Sequence, residues 1–153
     1  MPMFKCACVV LLPILVWACG GSTTSPSSTP TSNPVLSVTG TNFTIAGIPS
    51  LRFATTPIGS SSAMPLSLQN TGTSTLSISD IKLGGWLNDT SHFSVSATSA
   101  TIAPNQTITV NVTFAPKFST GLCFMETQLT VVGNQSGGDV TIGLHGDLPV
   151  GRC

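Results

Sequence analysis

Five cysteines are the side chains of this 153-residue chain that are best suited to covalent chemistry. Cys6 and Cys8 lie within an apolar stretch at the N-terminus, and Cys19 follows directly after that stretch. Cys123 and Cys153 belong to the rest of the chain, where an even number of cysteines can form a disulfide in an oxidising compartment. The cysteines therefore raise two separate questions, one about each end of the chain.

The spacing of Cys123 and Cys153 fits a hairpin near the C-terminus. If the last two strands turn about Ser136, Cys123 lies opposite Pro149 and Cys153 lies opposite Ser119. Frayed strand ends could then bring the two sulfurs together, so we predict a disulfide between Cys123 and Cys153. Two free thiols or an intermolecular bridge are the alternatives.

Residues 1–18, MPMFKCACVVLLPILVWA, have the organisation of a signal peptide. One cation, Lys5, precedes an apolar run of about a dozen residues, which is shorter than the roughly 20 that span a membrane. The VWAC sequence that ends at Cys19 resembles the bacterial lipobox, with bulky Trp17 as its one departure. This resemblance implies that Cys19 is acylated and becomes the first mature residue. A plain secretory peptide cleaved nearby and an uncleaved anchor are the alternatives.

A multiply acylated Cys19 would attach the protein to a membrane, because each buried methylene contributes about 0.8 kcal/mol. The next residue is Gly20, whereas an Asp there typically retains lipoproteins in the inner membrane of diderm bacteria. We therefore expect a lipid anchor in the bacterial cell envelope, at the outer membrane, on its periplasmic or its surface face. Residues 19–34 continue with Gly, Ser, Thr and Pro and no large apolar side chain, so we expect a disordered tether.

Two histidines could bind a metal or take part in catalysis. His92 and His145 could ligate a metal together with Asp89 or Asp147, but we find no close ligand pair of the kind that holds a metal. His145 has the outward parity of its strand, so a solvated imidazole is the simpler interpretation. The many serines are not accompanied by a GxSxG elbow. We therefore predict no metal, no cofactor, no catalytic residue and no enzyme activity.

Trp86 is the remaining candidate for a ligand or partner contact. The sequence GGWLND places it in a glycine-flanked loop, where an aromatic ring can stack on a sugar or anchor a protein interface. The alternative is that Trp86 folds back and covers the end of the domain.

The elements that must position these residues are β-strands. Thr107 to Pro116, TITVNVTFAP, alternates apolar and polar residues without a break, which is the period of a half-buried strand. Shorter alternating runs are separated by turn signals, including Asn70 to Gly72, where we expect a hairpin. The parity changes near Asp80, which predicts a β-bulge or a change of partner. Residues 35–153 are therefore expected to form an all-β, Ig-like antiparallel sandwich of about seven to eight strands.

The order of these runs is similar to that of a known family. The segments PLSLQNTGTSTLSISDIKL, TIAPNQTITVNVTFAP and VTIGLHGDL resemble the ASH (ASPM, SPD-2, Hydin) family, close to the bacterial choice-of-anchor D domains. The resemblance covers about residues 48–148. It implies an Ig-like sandwich related to the major sperm protein fold, which serves as an interaction module without catalysis. The longer connection KFSTGLCFMET departs from the one usual in the family.

Low charge limits the possible partners. Only 7% of the residues are charged and the formal net charge is +0, so the basic surface that a nucleic acid needs is missing. Our first hypothesis is a lipid-anchored module that binds an unidentified envelope protein. The alternative is a surface carbohydrate-binding or adhesive module, suggested by Trp86 and the low charge. A periplasmic pilus-type chaperone is disfavoured, because such chaperones are soluble rather than lipidated.

Overall fold

The structure, a computed structural model, describes residues 32–85, 90–118, 121 and 123–151. Over these residues the chain forms ten β-strands and a short 3-10 turn at Thr90–His92. The strands are β1 (Leu36–Thr39), β2 (Phe43–Ile45), β3 (Ile48–Phe53), β4 (Ser62–Asn70), β5 (Leu76–Gly84), β6 (Phe93–Val95), β7 (Ala100–Ile102), β8 (Thr107–Phe114), β9 (Phe124–Gly133) and β10 (Val140–Asp147).

The strands form two sheets that share one core. One sheet has the order β1-β4-β8-β6 and the other has the order β2-β3-β10-β9-β5-β7. The all-β sandwich is confirmed, but two details of the prediction are corrected. Ten strands are present in the described residues, because the three-residue strands β2, β6 and β7 extend the sheet edges. The sandwich is not wholly antiparallel either, since β3 and β10, which are far apart in the chain, pair in parallel.

The strand β8 supplies the centre of the core, as its alternation predicted. Val112 and Phe114 are fully buried. The ring of Phe114 lies near those of Phe53 and Phe93, with centroids 5.9 and 5.0 Å away. It also faces Gly146 in β10, where an added Cβ would overlap the ring. These contacts join the two sheets close to the ends of β3, β8 and β10.

Asn70 to Gly72 do not form the expected hairpin. Because β4 and β5 belong to different sheets, this loop crosses from one sheet to the other. Asn70 is fully buried, and its amide nitrogen donates to the carbonyls of Ser74 and Ile102 at 2.8 and 2.9 Å. Its side-chain oxygen accepts from the backbone N–H of Gly72 at 3.0 Å. Turn-forming residues therefore marked a change of direction, but not which strands become neighbours.

The predicted irregularity near Asp80 is confirmed. In the pairing of β5 with β9, Ile78 lies opposite Gly133 and Asp80 lies opposite Val132, so the register shifts between Ile78 and Asp80. One extra residue in β5 then has no direct counterpart in β9, which is the definition of a β-bulge. The change of parity in the sequence came from this residue.

The predicted final hairpin is formed by β9 and β10, and its last ladder pair is Phe124 opposite Asp147. Beyond this pair, the backbone N–H of Leu148 donates to the carbonyl of Cys123 at 2.8 Å. The register therefore differs by one residue from the expected one, which placed Pro149 opposite Cys123. The reason is that the turn is centred between two residues rather than on a single residue.

The last residues of the predicted tether contact the domain. The carbonyl of Pro34 accepts a hydrogen bond from the backbone N–H of Ser136 at 2.9 Å. The carbonyl of Asn33 accepts one from the backbone N–H of Thr73 at 3.2 Å. The chain therefore enters the sandwich beside the β4–β5 and β9–β10 connections. The predicted signal peptide, residues 1–18, and residues 19–31 of the predicted tether lie outside the described residues. In the part of the chain that is described, no helix has the length and apolar character needed to cross a bilayer.

Candidate functional site

A group of charged and aromatic side chains lies on the outer face of the six-stranded sheet. It spans the adjacent strands β2, β3, β10 and β9 and is here called the outer-face cluster: Phe43, Arg52, Phe124, Glu126, His145 and Asp147. The strand register brings these residues together, because His145 is paired with Arg52 on one side and with Glu126 on the other. His145 and Asp147 alternate with the buried Gly146, so their side chains point away from the core.

His145 lies at the centre of the outer-face cluster. Its Nδ1 is 2.7 Å from Oε1 of Glu126, and its Nε2 is 3.0 Å from Oδ1 of Asp147. Both nitrogens can donate to these carboxylates only in the imidazolium form, since a neutral imidazole has a single N–H. The outward parity of His145 was predicted correctly. The expected solvated imidazole is wrong, because neighbouring side chains leave only 13% of the side chain exposed.

Asp147 connects His145 to Arg52. Its Oδ2 accepts from Nε of Arg52 at 2.9 Å, while its Oδ1 faces His145. Partial burial of Asp147 opposes its ionisation, but the hydrogen bonds from Arg52 and His145 outweigh that effect and hold the pKa of Asp147 below its usual value. The same hydrogen bond raises the pKa of Arg52. Asp147 therefore stays ionised and orients the guanidinium on the sheet surface.

Aromatic rings flank this charged network on both sides. The guanidinium carbon of Arg52 lies 5.3 Å from the centroid of the Phe43 ring, within the range of a cation–π interaction. On the other side, Phe124 stacks on His145 with centroids 5.5 Å apart and planes inclined by 15°. Phe43 is 40% exposed, and the Arg52 side chain is 49% exposed. The Phe43 ring and the Arg52 guanidinium are therefore exposed to solvent, whereas His145, Glu126 and Asp147 are mostly covered.

The backbone that carries Arg52 is held by the side chain of Asn42. The Asn42 oxygen accepts from the backbone N–H of Arg52 at 2.8 Å, and its amide nitrogen donates to the Arg52 carbonyl at 3.1 Å. The side-chain amide of Asn42 thus replaces the backbone hydrogen bonds to Arg52 that a longer β2 would have made. β2 and β3 are joined by a turn at Ala46 and Gly47, with φ of 48° and 84°. Alanine is unusual in such a two-residue hairpin turn, and the sequence analysis did not predict it.

His92 lies away from the outer-face cluster. It is buried in the turn before β6, where its Nδ1 accepts from the backbone N–H of Lys117 at 3.1 Å and the ring of Phe118 contacts it edge-on at 4.5 Å. By contrast, His145 and Asp147 are two residues apart and share a face, which corrects the expectation that no close ligand pair exists. Within the described residues, His, Cys, Asp and Glu side chains form no group of three or more that could hold a metal ion.

The other residues chosen from the sequence fall at or beyond the limits of the described chain. Cys19, Trp86, Asp89 and Cys153 lie outside the described residues. Cys123 is exposed and directly precedes β9. The acylation of Cys19, the disulfide between Cys123 and Cys153 and the ligand contact at Trp86 therefore stay predictions.

Sequence analysis did not find the outer-face cluster, although part of its signal was present. The predicted outward parity of His145 also applies to Asp147, two residues later, but this pair was not recognised. The position of Arg52 beside them depends on the parallel pairing of β3 with β10, which no local pattern encodes. In a chain with only 7% charged residues, the charges of Arg52, Glu126 and Asp147 in or beside alternating segments were the available clue.

These features define an Ig-like β-sandwich whose six-stranded sheet carries a charged and aromatic outer face. The chain belongs to the ASH family (Abnormal spindle-like microcephaly-associated, ASPM-SPD-2-Hydin), whose sequence profile matches residues 34–139. A comparison with curated protein sequences gives no significant match. The family match confirms the resemblance seen in the sequence and indicates a protein-interaction module.

Solved structures show the same fold at low sequence identity. The ASH/PapD-like domain 7 of human CEP192 is 17% identical, with a TM-score of 0.54 over 97% of this chain and 98% of that chain. A family 123 glycoside hydrolase from Clostridium perfringens is 9% identical, with a TM-score of 0.57 over 76% of this chain and 27% of that chain. The periplasmic chaperone SfaE is 10% identical, with a TM-score of 0.50 over 74% and 57%. Such identities establish the fold alone.

Proposed function

We propose that this chain is a non-catalytic, lipid-anchored module of the bacterial cell envelope that binds another protein through the outer-face cluster. The observation that carries the proposal is the pair formed by Arg52 and Phe43, a cation stacked on a ring and both about half exposed. Arg and aromatic residues are enriched among those that contribute most to protein interfaces. Membership of the ASH family supports the same general role.

The outer-face cluster is suited to binding because its exposed groups are held in place before a partner arrives. Asp147 fixes the guanidinium of Arg52, and Asn42 fixes the backbone beneath it. Side chains that are already ordered lose less conformational entropy when a complex forms. A partner surface would therefore meet a ring and a cation that are already held in place.

Membrane attachment is supported by the lipobox-like sequence at Cys19 and by the tether that follows it. Fractionation of cells that produce the Cys19→Ser variant tests this part of the proposal. We expect the protein to move from the membrane to the soluble fraction and to lose the mass of its acyl chains. Unchanged fractionation with an unchanged intact mass would rule out the anchor.

Affinity purification of the full-length protein from detergent-solubilised envelopes tests the binding role. We expect an envelope protein that co-purifies with the native chain to be lost in Phe43→Ala and retained in Phe118→Ala, which removes an exposed ring outside the cluster. Equal recovery with both variants would contradict the proposed site. Binding to a glycan array that disappears in Trp86→Ala would favour the carbohydrate-binding alternative instead.

A further inference from the structure

Arg52 retains hydrogen-bond donors that the protein itself does not use. Its Nε donates to Asp147, and among the described residues no hydrogen bond engages its two terminal nitrogens, Nη1 and Nη2. A guanidinium has five N–H donors, so about four are left for an external acceptor. Because the side chain is 49% exposed, these donors can be reached from solvent.

Arg52 is the most exposed charged side chain of the outer-face cluster. The side chains of Glu126 and Asp147 are only 19% and 24% exposed; one oxygen of Glu126 faces His145, and the two oxygens of Asp147 face Arg52 and His145. An incoming group therefore meets the guanidinium before it meets either carboxylate. Since the whole chain has a formal net charge of +0, long-range attraction is weak and recognition has to come from contact geometry.

We propose that Arg52 binds a carboxylate of the partner protein, from an Asp, a Glu or a C-terminus, while Phe43 packs against an apolar side chain beside it. This inference rests on the proposed protein-binding function and specifies the chemistry of the contact. The Nη1–Nη2 edge of a guanidinium matches the two oxygens of a carboxylate. The stacking on Phe43 and the hydrogen bond to Asp147 hold that edge in a fixed orientation.

A phosphate presents similar oxygen atoms, but its greater negative charge fits this site less well. Asp147 is hydrogen-bonded to Arg52 and would repel a dianion more strongly than a single carboxylate. The basic residues that usually accompany a phosphate site are also scarce, since Lys and Arg together number 5 in the whole chain. The carboxylate is therefore the better match in charge.

Peptide titration of the mature protein, purified from envelopes in detergent micelles and followed by NMR, tests this inference. The probe is acetyl-Ala-Leu-Glu-Leu-Ala-amide, and its controls carry Gln or phosphoserine in place of Glu. We expect the Glu peptide to shift the Nε–H signal of Arg52 and the ring signals of Phe43, and to bind about tenfold more tightly than the Gln peptide. Equal binding of the Glu and Gln peptides, or tighter binding of the phosphoserine peptide, would overturn it.

Two variants separate recognition by Arg52 from a structural role of its charge. Arg52→Lys keeps the charge but lacks the planar fork, so we expect it to lose the roughly tenfold preference for the Glu peptide. Lys82→Gln, at an exposed position in β5 of the same sheet, should leave that preference unchanged. Circular dichroism checks that both variants fold, and Arg52→Gln replaces Arg52→Lys if the latter does not. A Glu preference that survives loss of the guanidinium would reject the inference.

Failure of this inference can be told apart from failure of the proposed function. If the co-purifying envelope protein is lost in Phe43→Ala but retained at full yield in Arg52→Lys, protein binding by the outer-face cluster stands and carboxylate recognition is rejected. If it is retained in both variants, the cluster is not the binding site and both proposals fail.

Discussion

The ring of Phe114 lies directly against Gly146, so that a side chain of one sheet touches the backbone of the other. Gly146 is also the residue between His145 and Asp147, the two members of the outer-face cluster that β10 supplies. The same short stretch of β10 therefore closes the core on one face and positions the candidate site on the other. Core packing and the geometry of the site are coupled through this strand.

This contact leads to a prediction about stability. Gly146→Ala should destabilise the domain by about 1–3 kcal/mol, because the new methyl group would overlap the Phe114 ring and force it to move. Urea unfolding measures the effect. The matched double variant Gly146→Ala with Phe114→Leu should be more stable than the sum of the two single effects predicts, because the smaller side chain makes room. Unchanged stability in Gly146→Ala would mean that the ring moves freely.

A second prediction concerns the buried amide of Asn70. In Asn70→Ala, the carbonyls of Ser74 and Ile102 and the N–H of Gly72 lose their partner, and each unsatisfied buried group costs about 1–3 kcal/mol. Asn70→Asp should be at least as harmful at neutral pH, because a carboxylate cannot donate to the two carbonyls. Thermal unfolding of both variants, with the exposed Asn111→Ala in β8 as control for surface substitution, checks this expectation. A smaller loss in Asn70→Ala than in the control would contradict it.

The hydrogen bonds to Asp147 predict a dependence of stability on pH. Its pKa is lower in the folded protein than in the unfolded chain, where it is about 3.9. The ionised form therefore contributes stability above that pH, and the contribution is lost as the pH falls through the folded value. We expect the free energy of unfolding of the native chain to exceed that of Asp147→Asn by up to about 1 kcal/mol at pH 7. The difference should become progressively smaller below about pH 4.

Urea unfolding between pH 7 and pH 3 measures this difference. The control is Asp139→Asn, which changes an exposed carboxylate that makes no ion pair among the described residues. A constant gap between the native chain and Asp147→Asn over the whole range would show that Asp147 acts through its shape rather than its charge.

A fourth prediction is the disulfide between Cys123 and Cys153 in the exported protein. The hydrogen bond from Leu148 to Cys123 places Leu148 alongside Cys123, and four residues separate Leu148 from Cys153 in the sequence. Closing a loop of about 30 residues should stabilise the fold by roughly 3–4 kcal/mol. Non-reducing peptide mapping of protein from its native envelope should yield one linked pair of peptides. Two alkylatable thiols in that material would refute the disulfide.

Sequence patterns predicted the strands well where one face of the strand is buried. The alternation of β8 located its buried residues, and the change of parity near Asp80 located the bulge in β5. Both are local properties, because the side chains of a strand alternate between core and solvent whatever its neighbours are. The final hairpin was found for the same reason, within one residue of its register.

Pairings between distant strands could not be predicted in this way. The loop at Asn70 carries the residues of a tight turn, yet it connects two sheets, and only the tertiary structure shows that its amide is buried. Arg52 meets Asp147 only because β3 pairs in parallel with β10, although the two residues are 95 positions apart in the chain. The β2–β3 hairpin was not predicted either, because its turn places Ala46 at a positive φ, which is unusual for alanine. The candidate site depends on the pairing of β10 with β3 and of β3 with β2, and the sequence analysis predicted only the outward parity of His145.

Photo-crosslinking in intact cells tests most directly the claim that the outer-face cluster binds a protein. A benzophenone-bearing phenylalanine analogue placed at Phe43 keeps an aromatic ring at the site, and the same analogue at the exposed Phe118 is the matched control. We expect one defined envelope protein to be crosslinked from position 43, identified by mass spectrometry, and no corresponding product from position 118. Absence of a crosslinked protein from position 43, or the same product from both positions, would contradict the account.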